Sequence, residues 1–132
     1  MAVRREWAGI VAKGVYGDGY ARTLAQARIG LGVLSKMCPD AFTTRSFEIP
    51  AAGAMLLAER TDEHRALFEE GREAEFFGDE EELRDKLRYY LGQEPARRRI
   101  AEAGRARALA QYHWRHVLEP AIARVEGIRR AG

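Results

Sequence analysis

The sequence predicts an α/β fold built on a parallel sheet of three to four strands with flanking helices. Three observations predict it. Short, nearly continuous apolar runs occur at residues 29–34 (IGLGVL), 54–58 (AMLLA) and 74–77 (AEFF). Runs of that length suit strands buried on both faces, as in parallel sheets. Segments with helix formers and caps separate them, so each strand connects to the next through a helix. That order implies parallel pairing with crossover connections, and so a Rossmann-like layout.

The elements follow in order. Residues 1–7 read as a frayed start. Residues 8–15 (AGIVAKGV) form a candidate short strand weakened by its glycines, and residues 16–19 (YGDG) form a turn. Residues 20–28 suit a helix with Tyr20, Leu24 and Ala27 on one face. The first apolar run follows, then a loop over residues 35–45 containing Pro39. Ser46 is expected to cap a helix over residues 47–52 that Gly53 ends. On that count Pro50 is the fourth helical residue, where a missing N–H costs nothing.

After the second apolar run, Asp62 is expected to cap a helix over residues 63–70, with Gly71 behind it. After the third, Asp79 with Glu82 three residues on forms a capping box, and acids crowd the positive end of the helix dipole. Leu83, Leu87 and Leu91, with Tyr90 beside them, make one apolar stripe. Gly92 ends that helix and Pro95 opens the next at its first turn. This helix runs to about Tyr112, with Ile100, Ala103 and Ala110 among its inward positions. A last helix is expected to be interrupted at Pro120.

Composition bounds the function. The chain has 132 residues, with 46% apolar and 32% charged side chains, enough for one domain with a core. Residues 1–132 therefore read as a single domain, with 94–132 as terminal helices. The net charge of +2 hides a division: residues 59–86 carry −7, while residues 94–132 carry +5. The basic tail reads as a solvated helical surface. Arg97, Arg98 and Arg99 belong to no nucleic-acid reader module, and no nucleic-acid partner is expected. No apolar run is long enough for a membrane span, and no stretch reads as a signal peptide. A single cysteine, Cys38, demands no oxidising compartment, so a cytoplasmic location is expected.

Ligands in open α/β sheets sit beyond the carboxyl ends of the strands. Residues 35–48 (SKMCPDAFTTRSFE) occupy that place and lead into a helix N-terminus, where free N–H groups suit a phosphate. Thr43, Thr44, Arg45 and Ser46 add hydroxyls and a cation. Glu48, in the first turn, could accept hydrogen bonds from a ribose diol, although an acid there equally complements the helix dipole. Other motifs carry less. His113 and His116 have metal-binding spacing but no third ligand, so no metal site is expected and Trp114 reads as the anchor of the last helix. Cys38 has no histidine placed to act as its base. The glycines at 14, 17 and 19 are in the wrong order for a dinucleotide fingerprint.

The stretch at residues 45–59 (RSFEIPAAGAMLLAE) resembles the donor-site segment of group 1, GT-B-fold glycosyltransferases (family 4-like), and most closely their spore-maturation-protein-like branch. The resemblance continues in order through residues 63–71 (EHRALFEEG), 73–77 (EAEFF), 80–91 (EEELRDKLRYYL) and 95–109 (PARRRIAEAGRARAL), and covers residues 9–118. It implies the C-terminal, donor-binding domain of such an enzyme, which binds a nucleotide-diphosphate sugar. It implies that Glu48 holds the ribose hydroxyls and that Thr43, Thr44, Arg45 and Ser46 approach the diphosphate. Related enzymes carry an E-x7-E pair whose first acid contacts the sugar. Asp40 stands at that place, with the same charge and a shorter reach. Neither a metal nor another cofactor is implied, because helix N-termini and cations stabilise the departing diphosphate.

The resemblance also implies an N-terminal acceptor domain, which this sequence does not contain. The domain itself reads as incomplete, without its first strands. Alone, the chain is expected to bind donor weakly and transfer nothing. The alternative is a non-catalytic module that kept the fold and lost the chemistry. Its truncated sheet would leave an edge open for pairing in a homodimer.

Overall fold

The computed structural model of the chain describes residues 9–37 and 39–131. The elements run α1 (Asp18–Gln26), β1 (Ile29–Gly32), α2 (Arg45–Ala52), β2 (Met55–Glu59), α3 (Asp62–Leu67), β3 (Glu75–Phe77), α4 (Glu80–Gly92), α5 (Glu94–Gln111) and α6 (Trp114–Ala131). The three strands form one parallel sheet in the order β1-β2-β3. Ile29 pairs with Met55 and Leu57 with Glu75 in the two registers. The expected α/β architecture is the observed one.

β2 is the central strand, and Met55, Leu56, Leu57 and Ala58 are all fully buried. Its alternation sends Leu56 and Ala58 to one face, where they join Ile49, Phe68, Phe76 and Ala108 in the main core. That places α2 and α5 over this face. On the other face Glu75 meets Lys86 and Tyr90 of α4. α5 lies close to the body because Gly104 packs against the carbonyl oxygen of Glu73, with no room for a Cβ.

Several local expectations are corrected. Among the described residues there is no strand before α1: residues 11–16 are exposed coil. With two glycines and no partner strand, that segment has nothing to complete its ladder. α1 begins at Asp18, inside the predicted turn, just after Gly17 with φ 56°. β1 is a sheet edge rather than a strand covered on both faces, and Leu31 and Val33 are 43% and 55% exposed.

Ser46 does not cap α2. The helix starts two residues earlier than expected, after Thr44, and Ser46 is its second residue. Pro50 is therefore the sixth helical residue, where its missing N–H removes a bond the helix could otherwise make. Gly53 ends the helix as expected, with φ 97° and its N–H bonded to the Pro50 carbonyl.

α3 is capped by Thr61 rather than Asp62, because the Thr61 hydroxyl accepts the His64 N–H at 2.9 Å. The helix stops at Leu67, three residues short of the expected end. Asp79 caps α4 through the Glu82 N–H at 2.8 Å. The capping box is not reciprocal in the usual way, since Glu82 accepts from Gly78 N–H instead. The α4 stripe is half-buried at Leu83, Leu87 and Tyr90, and Leu91 is exposed.

In α5 the inward positions are Arg97, Ile100, Gly104 and Ala108; Ala110 is exposed. α6 runs through Pro120 without a break. Its side chains are exposed throughout residues 114–130, so water can serve the carbonyl that the proline leaves unpaired. No helix among the described residues is long and apolar enough to cross a membrane.

Candidate functional site

The carboxyl ends of β1 and β2 converge on the loop before α2. Glu59, the last residue of β2, accepts the Leu34 N–H at 2.8 Å and so fixes where the loop departs. Thr61, just beyond β2, donates its hydroxyl to the Ala41 carbonyl at 2.8 Å. The chain then turns tightly into α2. Ser46 N–H bonds Thr43 O, while Phe47 and Glu48 N–H both bond Thr44 O. These bonds use part of what a helix N-terminus normally leaves free. The N–H groups of Thr44 and Arg45 meet no acceptor among the described residues.

Glu48 projects from the first turn of α2 and is exposed. Its Oε2 accepts a hydrogen bond of 2.9 Å from the Tyr20 hydroxyl, which reaches across from α1. Its Oε1 meets no donor among the described residues. Burial and the Glu48 carboxylate together push the Tyr20 phenol above its ordinary value, with Arg45 opposing them. Tyr20 therefore remains a donor and holds Glu48 in one orientation. Arg45 and Thr44 are exposed, and Thr43 is half-buried. Asp40 is exposed on the same loop, with no hydrogen bond or ion pair to Glu48.

Ser46 differs from its neighbours. It is buried, its Oγ accepts the Thr43 N–H at 3.2 Å, and it lies 2.8 Å from Nε2 of His64. An apolar groove of about 330 Å³ opens beside Glu48, lined by Thr44, Phe47, Tyr112, Trp114 and Val117. A larger cavity of about 420 Å³ lies among Arg28, Gly53 and Arg98. Arg28 and Gly53 precede strands, so that cavity is at the opposite end of the sheet from the loop.

A model of the family described as glycosyl transferase-like matches residues 5–123. The chain belongs to that family. No curated protein matches it. For a member of the glycosyl transferase-like family, the loop at residues 39–48 occupies the position where an open α/β sheet receives its ligand.

The remaining candidates resolve differently. Among the described residues no three acids or histidines come together to hold a metal. His113 lies outside α6 and accepts the Arg115 N–H, and its ring is 6.3 Å from that of His116. Trp114 is 72% exposed, which corrects its expected role as the packed anchor of the last helix. Cys38 lies outside the described residues. Three of the five arginines of α5 serve the fold: Arg97 donates to the Tyr90 carbonyl, Arg105 to that of Ala51 and Arg107 to that of Leu67.

Sequence reasoning missed two residues at this site. Tyr20 looked like a helix-face residue, and nothing in the sequence linked His64 to Ser46, 18 positions before it. The signal for Tyr20 was a hydroxyl on an apolar helix face. The signal for His64 was a histidine in the first turn of the helix that follows a buried strand.

Proposed function

We propose that this chain is the donor-binding half of a GT-B glycosyltransferase of group 1, in its spore-maturation-protein-like branch. The ligand is a nucleoside-diphosphate sugar. The observation that carries this reading is the placement of Glu48, in the first turn of α2, beyond the end of β1, with one oxygen held by Tyr20 and the other open. A ribose diol donating to Oε1 would complete that carboxylate. The N–H groups of Thr44 and Arg45, the Arg45 guanidinium and the hydroxyls of Thr43 and Thr44 are assigned to the diphosphate. Charge building up on the leaving diphosphate is stabilised there by fixed dipoles and a cation. Ser46 belongs to the same turn, with its hydroxyl directed inward. Asp40 is assigned toward the sugar, with a carboxylate one methylene shorter than its counterpart.

An acceptor domain would have to close over this face for transfer, so the chain alone binds donor without turning it over. Titration with UDP, GDP and their sugar conjugates by calorimetry tests the reading. Saturable binding of one nucleotide supports it. A folded chain that binds neither at millimolar concentration contradicts it.

One observation favours a second reading, a non-catalytic interaction module. Among the described residues no strand pairs with the outer edge of β1, and Leu31 and Val33 are exposed. An open edge of this kind invites another strand, and a second copy of the chain could supply it. A stable dimer that binds no nucleotide would select this reading.

A further inference from the structure

His64 is fully buried, yet no step of donor binding uses it. Its ring stacks on Phe76 with centroids 5.5 Å apart. Nδ1 lies 2.7 Å from the carbonyl oxygen of Glu59, which can only accept. Nδ1 therefore carries the proton, and Nε2 is a bare acceptor. Nε2 lies 2.8 Å from Ser46 Oγ, so Ser46 donates its hydroxyl hydrogen to the imidazole. With its hydrogen committed, Ser46 Oγ turns a lone pair to the Thr43 N–H. The chain of bonds runs from β2 through His64 and Ser46 to Thr43.

A second tie is made three residues earlier. Thr61 accepts the His64 N–H and donates to the Ala41 carbonyl. The corner between β2 and α3 thus grips the loop at Ala41 and again at Thr43–Ser46. Burial disfavours the charged imidazole and lowers its pKa, so the ring stays neutral and keeps its acceptor.

From this chain of bonds we infer that His64 is a positioning residue for the donor loop: acting through Ser46, it fixes the turn at residues 43–46 that presents the Thr44 and Arg45 N–H groups. The assignment of that turn to a diphosphate rests on the function proposed above. The positioning itself does not.

The test uses the full chain and two readouts. The first is amide hydrogen exchange by NMR in the free protein. In Ser46→Ala, the Thr43 amide is expected to exchange roughly tenfold faster, about the worth of one hydrogen bond. The Leu56 and Leu57 amides of the central strand are expected to keep their protection. His64→Gln retains an oxygen able to accept from Ser46 and is expected to preserve most of the Thr43 protection. His64→Leu is expected to lose it. Ser46→Ala cuts the same link while leaving the imidazole in place, so the result does not depend on His64→Leu folding.

The second readout is affinity for UDP and GDP beside uridine and guanosine. Ser46→Ala is expected to weaken whichever diphosphate binds by roughly tenfold and to leave its nucleoside unchanged. Unchanged Thr43 exchange in Ser46→Ala and His64→Leu overturns the inference, whatever the nucleotides do. Faster Thr43 exchange supports it even where the wild type binds no diphosphate, a result that would overturn only the donor assignment. Equal losses for diphosphate and nucleoside would show general damage rather than positioning, and would overturn it.

Discussion

Acidification should destabilise this protein through His64 before it touches the carboxylates. In the folded chain the imidazole is fully buried, and both nitrogens are committed in the neutral form. Its pKa lies below the ordinary 6.5, chiefly because burial penalises the cation. The Glu59 carbonyl and the charges of Glu59 and Glu63 offset this only in part. The other residues in contact with the ring, Ser46 of α2 and Phe76 of β3, bring no charge.

The unfolded chain therefore binds the proton first. Stability from this group is full above about pH 6.5 and falls as the pH drops toward the folded pKa. For one proton the slope cannot exceed about 1.4 kcal/mol per pH unit. One unit below 6.5 the loss is capped at RT ln 11, about 1.4 kcal/mol. For a domain of this size that corresponds to a fall in Tm of roughly 4–6 °C. Urea unfolding of wild type and His64→Gln at half-unit steps from pH 7.5 to 5 isolates the term, since the other histidines cancel in the difference. The difference curve should slope over this window and flatten above pH 7. Parallel curves throughout would refute a neutral, structurally committed His64.

Three further predictions rest on different contacts. Gly104→Ala sets a helix-propensity gain of up to about 1 kcal/mol against an overpacking cost of about 1–3 kcal/mol. The new Cβ meets backbone rather than a movable side chain, so the cost wins, and urea unfolding should show a net loss of about 1–2 kcal/mol. Ending the chain after His113 removes α6, whose side chains at 114–130 are all exposed; thermal unfolding should show a stability change within about 0.5 kcal/mol. Arg60 donates to both Glu70 and Glu82 and holds both carboxyls below their ordinary value of 4.5. Their contribution is present above that pH and lost below it, so Arg60→Met should raise both pKa values in a carboxyl-carbon NMR titration. It should also flatten the acid limb of the stability curve.

The sheet was legible because its strands are short apolar runs that need no tertiary context to recognise. β2 is so apolar that only a central strand can accommodate it. β1 misled because the same apolar pattern serves a strand that, among the described residues, lies at the edge of the sheet. The capping errors share one cause. Ser46 and Asp62 are good caps by type, but Ser46 is drawn inward by His64, and Thr61 has the extended backbone that a cap needs. The loop before α2 was legible from topology, since it follows a strand and opens a helix. Tyr20 and His64 were not, because their partners Glu48 and Ser46 lie 28 and 18 residues away. Only the packing of α1 on α2, and the turn that carries His64 back from β2 to Ser46, brings them together. The continuity of α6 through Pro120 was hidden because a proline ends helices mainly where the freed carbonyl cannot reach water.

The most direct test of the account crosses one residue with one ligand group. Wild type and Glu48→Ala are titrated with the nucleoside diphosphate that binds, and again with its 2′,3′-dideoxy form. A hydrogen bond to a carboxylate is worth about 1.5–3 kcal/mol, so Glu48→Ala should weaken the intact ligand roughly ten- to hundredfold. It should weaken the dideoxy ligand hardly at all. Equal losses for both ligands, or no loss for either, would contradict the assignment of Glu48 to the ribose and with it the donor-site reading of this loop.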